Sequence, residues 1–152
     1  MTTKMELEEA IARQIPVRFI ADLIPSSLGE FAITALDHLP FGINIINPNM
    51  EIMYINKQQQ AFFPERQLGG KLCYQAYTND NAREDLCPWC AAKEAFAKGN
   101  AAKRLAPSRD ENGQIFHHFE VVAIPLKKNT GEVFAVMELV NDISNSAFKA
   151  PV

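Results

Sequence analysis

The chain has 152 residues, 47% hydrophobic and 22% charged, which is enough apolar content for one domain with a sizeable core. It carries 15 Lys and Arg against 18 Asp and Glu, a net charge of -3, and its basic residues are scattered, so direct nucleic-acid binding is not expected. No apolar run approaches the roughly 20 residues that cross a bilayer, and the N-terminus MTTKMELEEAIARQ lacks the pattern of a secretion signal. These features predict a cytoplasmic protein with no membrane contact.

Residues 1–30 are predicted to form an N-terminal helical extension. Apolar residues recur between residues 4 and 14 with the period of an amphipathic helix, which Pro16 interrupts. Ser27 is followed three residues later by Glu30, a capping box that opens a further helix. We expect the extension either to pack on its own domain or to pair with a second subunit, and the pattern does not choose between the two.

From Pro40 onward the apolar period changes to that of strands. Asn-Pro-Asn at residues 47–49 and Asn-Thr-Gly at residues 129–131 supply turn chemistry, and residues 58–63 predict one short helical turn. The predicted strands span residues 42–46, 51–55, 103–108, 115–126 and 132–143. Because helices and strands do not alternate in βαβ units, this order predicts an α+β domain with a five-stranded antiparallel sheet.

Two stretches at the ends of this pattern carry a family resemblance. The first is ALDHLPFGINIINPNMEIMYINKQQQAFF, which leads from a helix through a Leu-Pro pair and a glycine into a hairpin whose second strand ends at Asn56. The last is NTGEVFAVMELVNDIS, a hairpin strand that ends in residues 142–144. Together they resemble the PAS family of sensory modules over residues 31–144. The resemblance implies a five-stranded antiparallel sheet with short helices on one face, followed by a C-terminal tail at residues 145–152.

This resemblance implies a role in signalling. The chain resembles a PAS domain of a bacterial-type signal-transduction or transcription-regulatory protein. Such a domain senses a small ligand, a metal or redox state. In that family the end motif, here Asp142, Ile143 and Ser144, couples the sheet to a downstream effector. The sequence holds no catalytic carboxylate pair, nucleophile elbow or phosphate loop, so an enzyme is not expected. A homodimer through the N-terminal helix or the sheet is expected, and a ligand-free interaction or dimerisation module is the alternative.

All three cysteines lie in the middle of the chain. Cys73 sits in Gly-Lys-Leu-Cys-Tyr, and the other two belong to Cys87-Pro88-Trp89-Cys90, a combination that resembles a subset of bacterial PAS domains. If Pro88 takes the first helical position, Cys87 caps a helix and the helix dipole lowers the pKa of both thiols. The three cysteines are therefore candidates for a metal site of zinc or an iron–sulfur cluster, for thiol redox sensing, or for simple burial.

A tetrahedral metal needs a fourth ligand, for which the sequence offers a histidine, a nearby carboxylate, water or a residue of another subunit. The candidates in the chain are His38, His117, His118, Asp80 and Asp85. A thiol oxidoreductase is disfavoured, because Cys87 and Cys90 do not follow the first strand of a βαβ unit.

The candidates for binding a small molecule are Tyr54, Tyr74, His117 and His118. Alternation along the strand sends the two histidines to opposite faces, so only one of them can face a pocket, and core packing is the competing interpretation. The resemblance argues against haem, because the helix AAKEAFAK holds no axial histidine. It also argues against flavin, because Leu72 and Tyr74 flank Cys73 where a flavin photosensor has Asn-Cys-Arg.

Overall fold

The computed structural model describes residues 26–78, 82–88, 90–109, 112 and 114–144. The predicted N-terminal extension up to residue 25 and the predicted tail at residues 145–152 therefore lie outside the described residues. Within the described ranges, no helix is long and apolar enough to cross a membrane.

The described residues form a set of short helices and one sheet. The helices are α1 (Ser26–Asp37), α2 (Lys57–Phe62), α3 (Cys73–Ala76) and α4 (Ala91–Lys98). The strands are β1 (Gly42–Ile46), β2 (Ile52–Ile55), β3 (Ala102–Arg109), β4 (Ile115–Lys127) and β5 (Val133–Asp142). All neighbouring strands pair antiparallel in the order β2-β1-β5-β4-β3. The predicted α+β class and five-stranded antiparallel sheet are confirmed.

The β1–β2 hairpin turns where the sequence predicts, and Asn47 is the residue that shapes the turn. Its Oδ1 accepts hydrogen bonds from the backbone N–H groups of Asn49 and Glu51, each at 3.0 Å. Met50 takes the left-handed conformation, with φ of 66°, and completes the reversal. A short polar side chain that bonds its own backbone therefore fixes the hairpin.

Asn56 joins three elements at the end of β2. It is 1% exposed, and its Oδ1 accepts from the N–H groups of Ile43 at 2.8 Å and Gln59 at 2.9 Å. Its Nδ2 donates to the carbonyls of Leu36 at 2.7 Å and Phe41 at 2.9 Å. One buried carboxamide thus caps α2 and holds the end of α1 and the start of β1 beside it.

The sheet buries both of its faces, and each face has its own apolar cluster. The helical face, defined by the packing of α2, α3 and α4, holds Ile46, Ile52, Phe119, Val121, Val136 and Val140. The opposite face contacts α1 through Ile33 and holds Ile43, Ile45, Met53, Tyr54 and Ala135. The three short helices therefore share one face, as the resemblance implies, and α1 lies on the other.

The helix after the cysteine pair begins later than the sequence predicts. Cys90, and not Cys87, is the N-cap of α4, and its Sγ accepts from the Lys93 N–H at 3.4 Å. The reason is local: the N–H of Cys90 donates to the carbonyl of Cys87 at 3.1 Å, which closes a turn before the helix starts. The predicted end of this helix is correct, because Gly99 caps it with φ of 67°.

Candidate functional site

The fold brings the three cysteines together on the helical face of the sheet. Cys73 is the first residue of α3, Cys90 caps α4, and Cys87 lies in the turn before it. All three are free thiols and partly buried. They are close enough that negative charge on Cys90 or Cys87 raises the pKa of Cys73.

The thiols are less acidic than ordinary cysteines, which corrects the prediction that the helix start lowers their pKa. Burial is the largest cause of the raised pKa of Cys73, Cys87 and Cys90. The cap contact of Cys90 with the Lys93 N–H does lower its pKa, but burial outweighs that contact. The three side chains are therefore protonated thiols at neutral pH.

The arrangement of the thiols does not provide a ready metal site. Among the described residues, no group of three or more His, Cys, Asp or Glu side chains is positioned to hold a metal ion. Cysteine sulfur is the donor type that zinc and iron–sulfur clusters take, but the three thiols are not grouped as a binding site in the described part of the chain. Metal binding at these residues stays a prediction from the sequence.

A buried carboxyl lies at the centre of this region. Glu138 is 8% exposed, and it shares the helical face with Val136 and Val140 because residues two apart on β5 point the same way. Burial raises the pKa of Glu138 from 4.5 to about 7, although a hydrogen bond from Asn44 acts in the opposite direction. Negative charge on Glu138 also raises the pKa of each of the three cysteines, so the carboxyl and the thiols interact electrostatically.

Asn44 is the direct partner of Glu138 across the sheet. The two residues are paired between β1 and β5, and Asn44 Nδ2 donates to Glu138 Oε2 at 2.9 Å. A hydrogen bond from Asn44 also lowers the pKa of Cys73. Asn44 is fully buried, yet its Oδ1 has no hydrogen-bond partner among the described residues. The nitrogen of this carboxamide therefore donates a hydrogen bond, while its oxygen accepts none from the described residues.

Gln59 repeats this pattern from α2. Its Nε2 donates to the hydroxyl of Tyr77 at 2.8 Å, and its buried Oε1 lacks a partner in the described part of the chain. That oxygen lies against Gly42, where an added Cβ would collide with it. Gly42 is therefore required for the position that Gln59 adopts.

These residues form one polar cluster, defined here as Asn44, Gln59, Cys73, Tyr77 and Glu138. Burial is the main cause that raises the pKa of Tyr77, and negative charge on Cys73 and Glu138 raises it further. The cluster lies between strands β1 and β5 and helices α2 and α3. We call Asn44 Oδ1 and Gln59 Oε1, which find no partner within the described ranges, its two open acceptors.

A surface cleft of about 440 Å³ lies at the segment before α4. It is lined by Glu84, Asp85, Leu86, Cys87, Pro88, Cys90 and Lys93. Cys87 and Cys90 line this cleft and also sense the charge of Glu138. Cys87 and Cys90 are thus common to the cleft and to the groups whose pKa responds to Glu138, while none of the five cluster residues lines the cleft.

Of the other sequence-predicted ligand residues, the three whose side chains are described lie outside the polar cluster. Tyr54 lies on the opposite face of the sheet, where its hydroxyl donates to Asp37 Oδ1 at 3.4 Å and burial raises its pKa. Tyr74 is partly buried on α3, and His118 is exposed on β4. The backbone of His117 pairs with Ser108, and its side chain lies outside the description.

The predicted signal-relay residues hold the end of β5 against β4. The Ile143 N–H donates to the His118 carbonyl at 2.9 Å, and the His118 N–H donates to Ser144 Oγ at 2.8 Å. Ser144 N–H in turn donates to Asp142 Oδ1 at 2.9 Å. This junction lies on the same strand as Glu138, four residues further along the chain at Asp142.

The sequence did carry a signal for the residues that the prediction missed. Asn44 and Glu138 interrupt the apolar strands GINII and VFAVMELVND at positions whose neighbours two residues away are buried. A polar residue at a position that alternation assigns to the core is an indication of a functional or structural polar contact. Gln59 and Tyr77, on a short helix and in a turn, offered no comparable pattern.

Comparison with known proteins identifies the fold. A family model described as PAS fold matches residues 36–147. An RNA-binding light-oxygen-voltage receptor is similar at 19% identity and a TM-score of 0.57, over 80% of this chain and 34% of that chain. The chain thus spans about a third of that receptor. A comparison with curated proteins found no match.

Two further solved structures share the fold. A PAS domain from a two-component sensor histidine kinase is 18% identical, with a TM-score of 0.55, and the match covers 78% of this chain and 99% of that chain. The VqmA dimer of Vibrio cholerae, described with LuxR-type receptors, is 13% identical, with a TM-score of 0.55, and the match covers 78% and 52%. At these identities the likeness shows the fold alone.

Proposed function

This chain belongs to the PAS-fold family, and from that premise we propose that it is a sensory module of a signal-transduction or transcription-regulatory protein that detects a small polar molecule at its polar cluster. We further propose that it acts in the cytoplasm, as a homodimer through its N-terminal helix or its sheet, on a separate or downstream effector. The similar structures, a domain of a sensor histidine kinase and a LuxR-type receptor, support a role in regulation.

The observation that carries this proposal is the pair of open acceptors in the interior. Asn44 and Gln59 are 0% and 2% exposed, and each has an oxygen without a partner among the described residues. A buried polar group left unpaired costs about 1 to 3 kcal/mol. Buried polar groups are nearly always hydrogen-bonded, and a bound molecule with hydrogen-bond donors would pair with these two oxygens.

Strand β5 connects the polar cluster to the predicted signal-relay residues, because it carries Glu138 and ends at Asp142. Glu138 lies on β5, which is hydrogen-bonded to β1 on one side and to β4 on the other. A ligand that changes the contact between Asn44 and Glu138 acts on the β1–β5 pairing, and β5 ends at the junction of Asp142 and Ser144 with His118. For a signal, the ligand must bind two arrangements of this strand with different affinity.

A thermal-shift screen tests the proposal with a variant that removes the cluster but preserves its shape. Asn44→Leu combined with Glu138→Met replaces both partners of the 2.9 Å hydrogen bond by apolar groups, a change that is close to neutral for stability. A compound present at about 100 times its Kd stabilises a protein by about 2.7 kcal/mol. We expect some polar metabolites to raise the Tm of the wild type by about 5 to 10 °C and to leave the paired variant unchanged.

The matched control removes a polar pair elsewhere on the same sheet. Lys103 and Glu120 form an ion pair at 2.9 Å between β3 and β4, and their replacement by Met and Leu leaves the cluster intact. This control should respond to the same compounds as the wild type. Compounds that stabilise all three proteins equally would show that the polar cluster is not the binding site.

A second candidate function is a ligand-free interaction module, which an exposed aromatic residue favours. Phe31 on α1 is 74% exposed, and Leu39 and Phe41 after that helix are also exposed. Contiguous apolar patches at a surface mark protein contacts, and these three residues are the candidates for such a patch. A screen in which no compound distinguishes the wild type from the paired variant would favour this function. Redox sensing by the three thiols is less well supported, because burial raises the pKa of each.

A further inference from the structure

Resting on the proposed ligand site, we infer that the polar cluster selects a small planar cation with several N–H donors, of the amidinium class, which donates to both open acceptors and pairs with Glu138. Two features of the cluster indicate this ligand class. Its unpaired atoms are both carboxamide oxygens, and they lie on the same face of the sheet as the Glu138 carboxyl.

The atoms that the two carboxamides leave available are acceptors. The nitrogen of Asn44 already donates to Glu138, and the nitrogen of Gln59 already donates to Tyr77. What these two carboxamides leave open, as far as the described residues show, is one oxygen each. A carboxamide oxygen accepts hydrogen bonds and cannot donate them. The Tyr77 hydroxyl and the Cys73 thiol each keep a donor hydrogen, so discrimination against an acceptor-only ligand such as a carboxylate comes from repulsion by the Glu138 carboxylate.

The two open acceptors lie within reach of one small molecule. Gln59 Oε1 lies against Gly42, and Gly42 is two residues from Asn44 on β1. Residues two apart on a strand point to the same face and lie about 7 Å apart. A planar ligand with N–H groups on opposite sides can therefore address both oxygens at once.

The charge of the cluster favours a cation over a neutral donor. Glu138 brings a carboxyl into the cluster from β5. Its titratable neighbours are Cys73 on α3, Tyr77 directly after that helix, and Cys87 and Cys90 in the segment before α4. None of these neighbours is a cation. Basic residues act on the flanking groups, Arg66 on Tyr77, Arg83 on Cys87 and Lys93 on Cys90, but none of them is among the causes that shift the pKa of Glu138. A charge-assisted hydrogen bond to the carboxylate is about twice as strong as a neutral one.

The surface cleft at the segment before α4 also favours a cation over an anion. Glu84 and Asp85 line it together with Lys93, and Cys87 and Cys90 connect it to the neighbourhood of Glu138. A cleft lined mainly by negative charge raises the local concentration of cations.

Three isosteric probes separate charge from hydrogen-bonding capacity. Acetamidinium is a cation with donors only, acetamide is neutral with one donor group, and acetate is an anion with acceptors only. The side-chain amide signals of Asn44 and Gln59 are followed by NMR in the isotope-labelled wild type at about pH 8, where Glu138 is ionised. We expect acetamidinium to shift both signals saturably with a Kd on the order of 1 mM, since four heavy atoms permit no more than modest affinity.

The comparison among the probes decides the inference. Acetamide should bind at least about tenfold more weakly than acetamidinium, and acetate should leave both signals unchanged. In Glu138→Gln the preference for acetamidinium over acetamide should disappear, whereas Glu120→Gln on β4 should behave as the wild type. Binding of acetate at the cluster, equal binding of acetamide and acetamidinium, or no shift with any probe would overturn the inference.

The failure of this inference can be distinguished from the failure of the proposed function. If acetate or a neutral compound binds at the cluster, the ligand class is wrong and small-molecule sensing stands. If no probe shifts Asn44 or Gln59, and the metabolite screen also fails to separate the wild type from the paired Asn44→Leu and Glu138→Met variant, both are wrong.

Discussion

Replacing Asn56 by aspartate is expected to lower the free energy of unfolding by about 4 kcal/mol, an unusually large effect for a change of one atom. Aspartate has no donors, so the carbonyls of Leu36 and Phe41 lose the hydrogen bonds that Asn56 Nδ2 now donates at 2.7 and 2.9 Å. The new carboxylate oxygen also faces these two carbonyls in a buried position. Each unsatisfied group costs about 1 to 3 kcal/mol, and the charge adds to this.

Urea unfolding at about pH 7 measures this effect, and the expected loss corresponds to a fall in Tm of about 10 °C. The matched control is Asn49→Asp, which makes the same chemical change at an exposed position of the β1–β2 turn. The control should stay within about 0.5 kcal/mol of the wild type. Equal stability of the two variants would contradict the role given to Asn56 as the junction of α1, β1 and α2.

Replacing Glu138 by glutamine is expected to make the protein more stable at alkaline pH and to remove part of its pH dependence. In the folded protein the pKa of Glu138 is raised from 4.5 to about 7, mainly by burial. The folded state therefore keeps a proton that the unfolded chain releases as the pH rises through this interval. The wild-type free energy of unfolding should fall by about 3 kcal/mol between pH 4.5 and 7 from this group, and level off above pH 7.

Glutamine keeps an oxygen that can accept from Asn44 Nδ2 but carries no charge, so the variant lacks this decline. The quantity to measure is the difference in unfolding free energy between Glu138→Gln and the wild type, at about pH 5 and about pH 8. That difference should increase with pH by about 3 kcal/mol. Glu120→Gln, a partly exposed glutamate on β4, controls for charge removal and should show no such increase. A difference that is independent of pH would mean that Glu138 titrates as an ordinary acid.

The strands and turns of this fold could be predicted from the sequence because they depend on local patterns. The alternation in GINII and the turn residue Asn47 specify a hairpin, and the structure places β1 at Gly42–Ile46 as predicted. The remaining predicted strands differ from the observed ones by a residue or so at each end. Side-chain period and turn chemistry are local properties, which a single sequence displays.

The helix start at the cysteines was predicted less well, because it depends on competition between two caps. Both Cys87 and Cys90 precede helix-forming residues, and Pro88 favours the first helical position. The turn closed by the Cys90 N–H and the Cys87 carbonyl shifts the start to Ala91. The acidity of the thiols depends on burial by distant elements, which no local pattern shows.

The polar cluster could not be assembled from the sequence because it depends on strand register. Asn44 and Glu138 are 94 residues apart in the chain and meet only through the pairing of β1 with β5. A shift of one residue would turn either side chain to the other face. Cys73, which the sequence singles out, belongs to this cluster, and the structure adds the acid and the two carboxamides.

The most direct test of the central claim is a crystal structure of the wild type with the compound that gives the largest thermal shift. At about 1.5 Å resolution the carboxamide orientations can be assigned from their contacts. The account predicts that the compound lies in the polar cluster, with donor atoms within hydrogen-bond distance of Asn44 Oδ1 and Gln59 Oε1. A compound bound elsewhere, with both oxygens paired to protein groups, would contradict it.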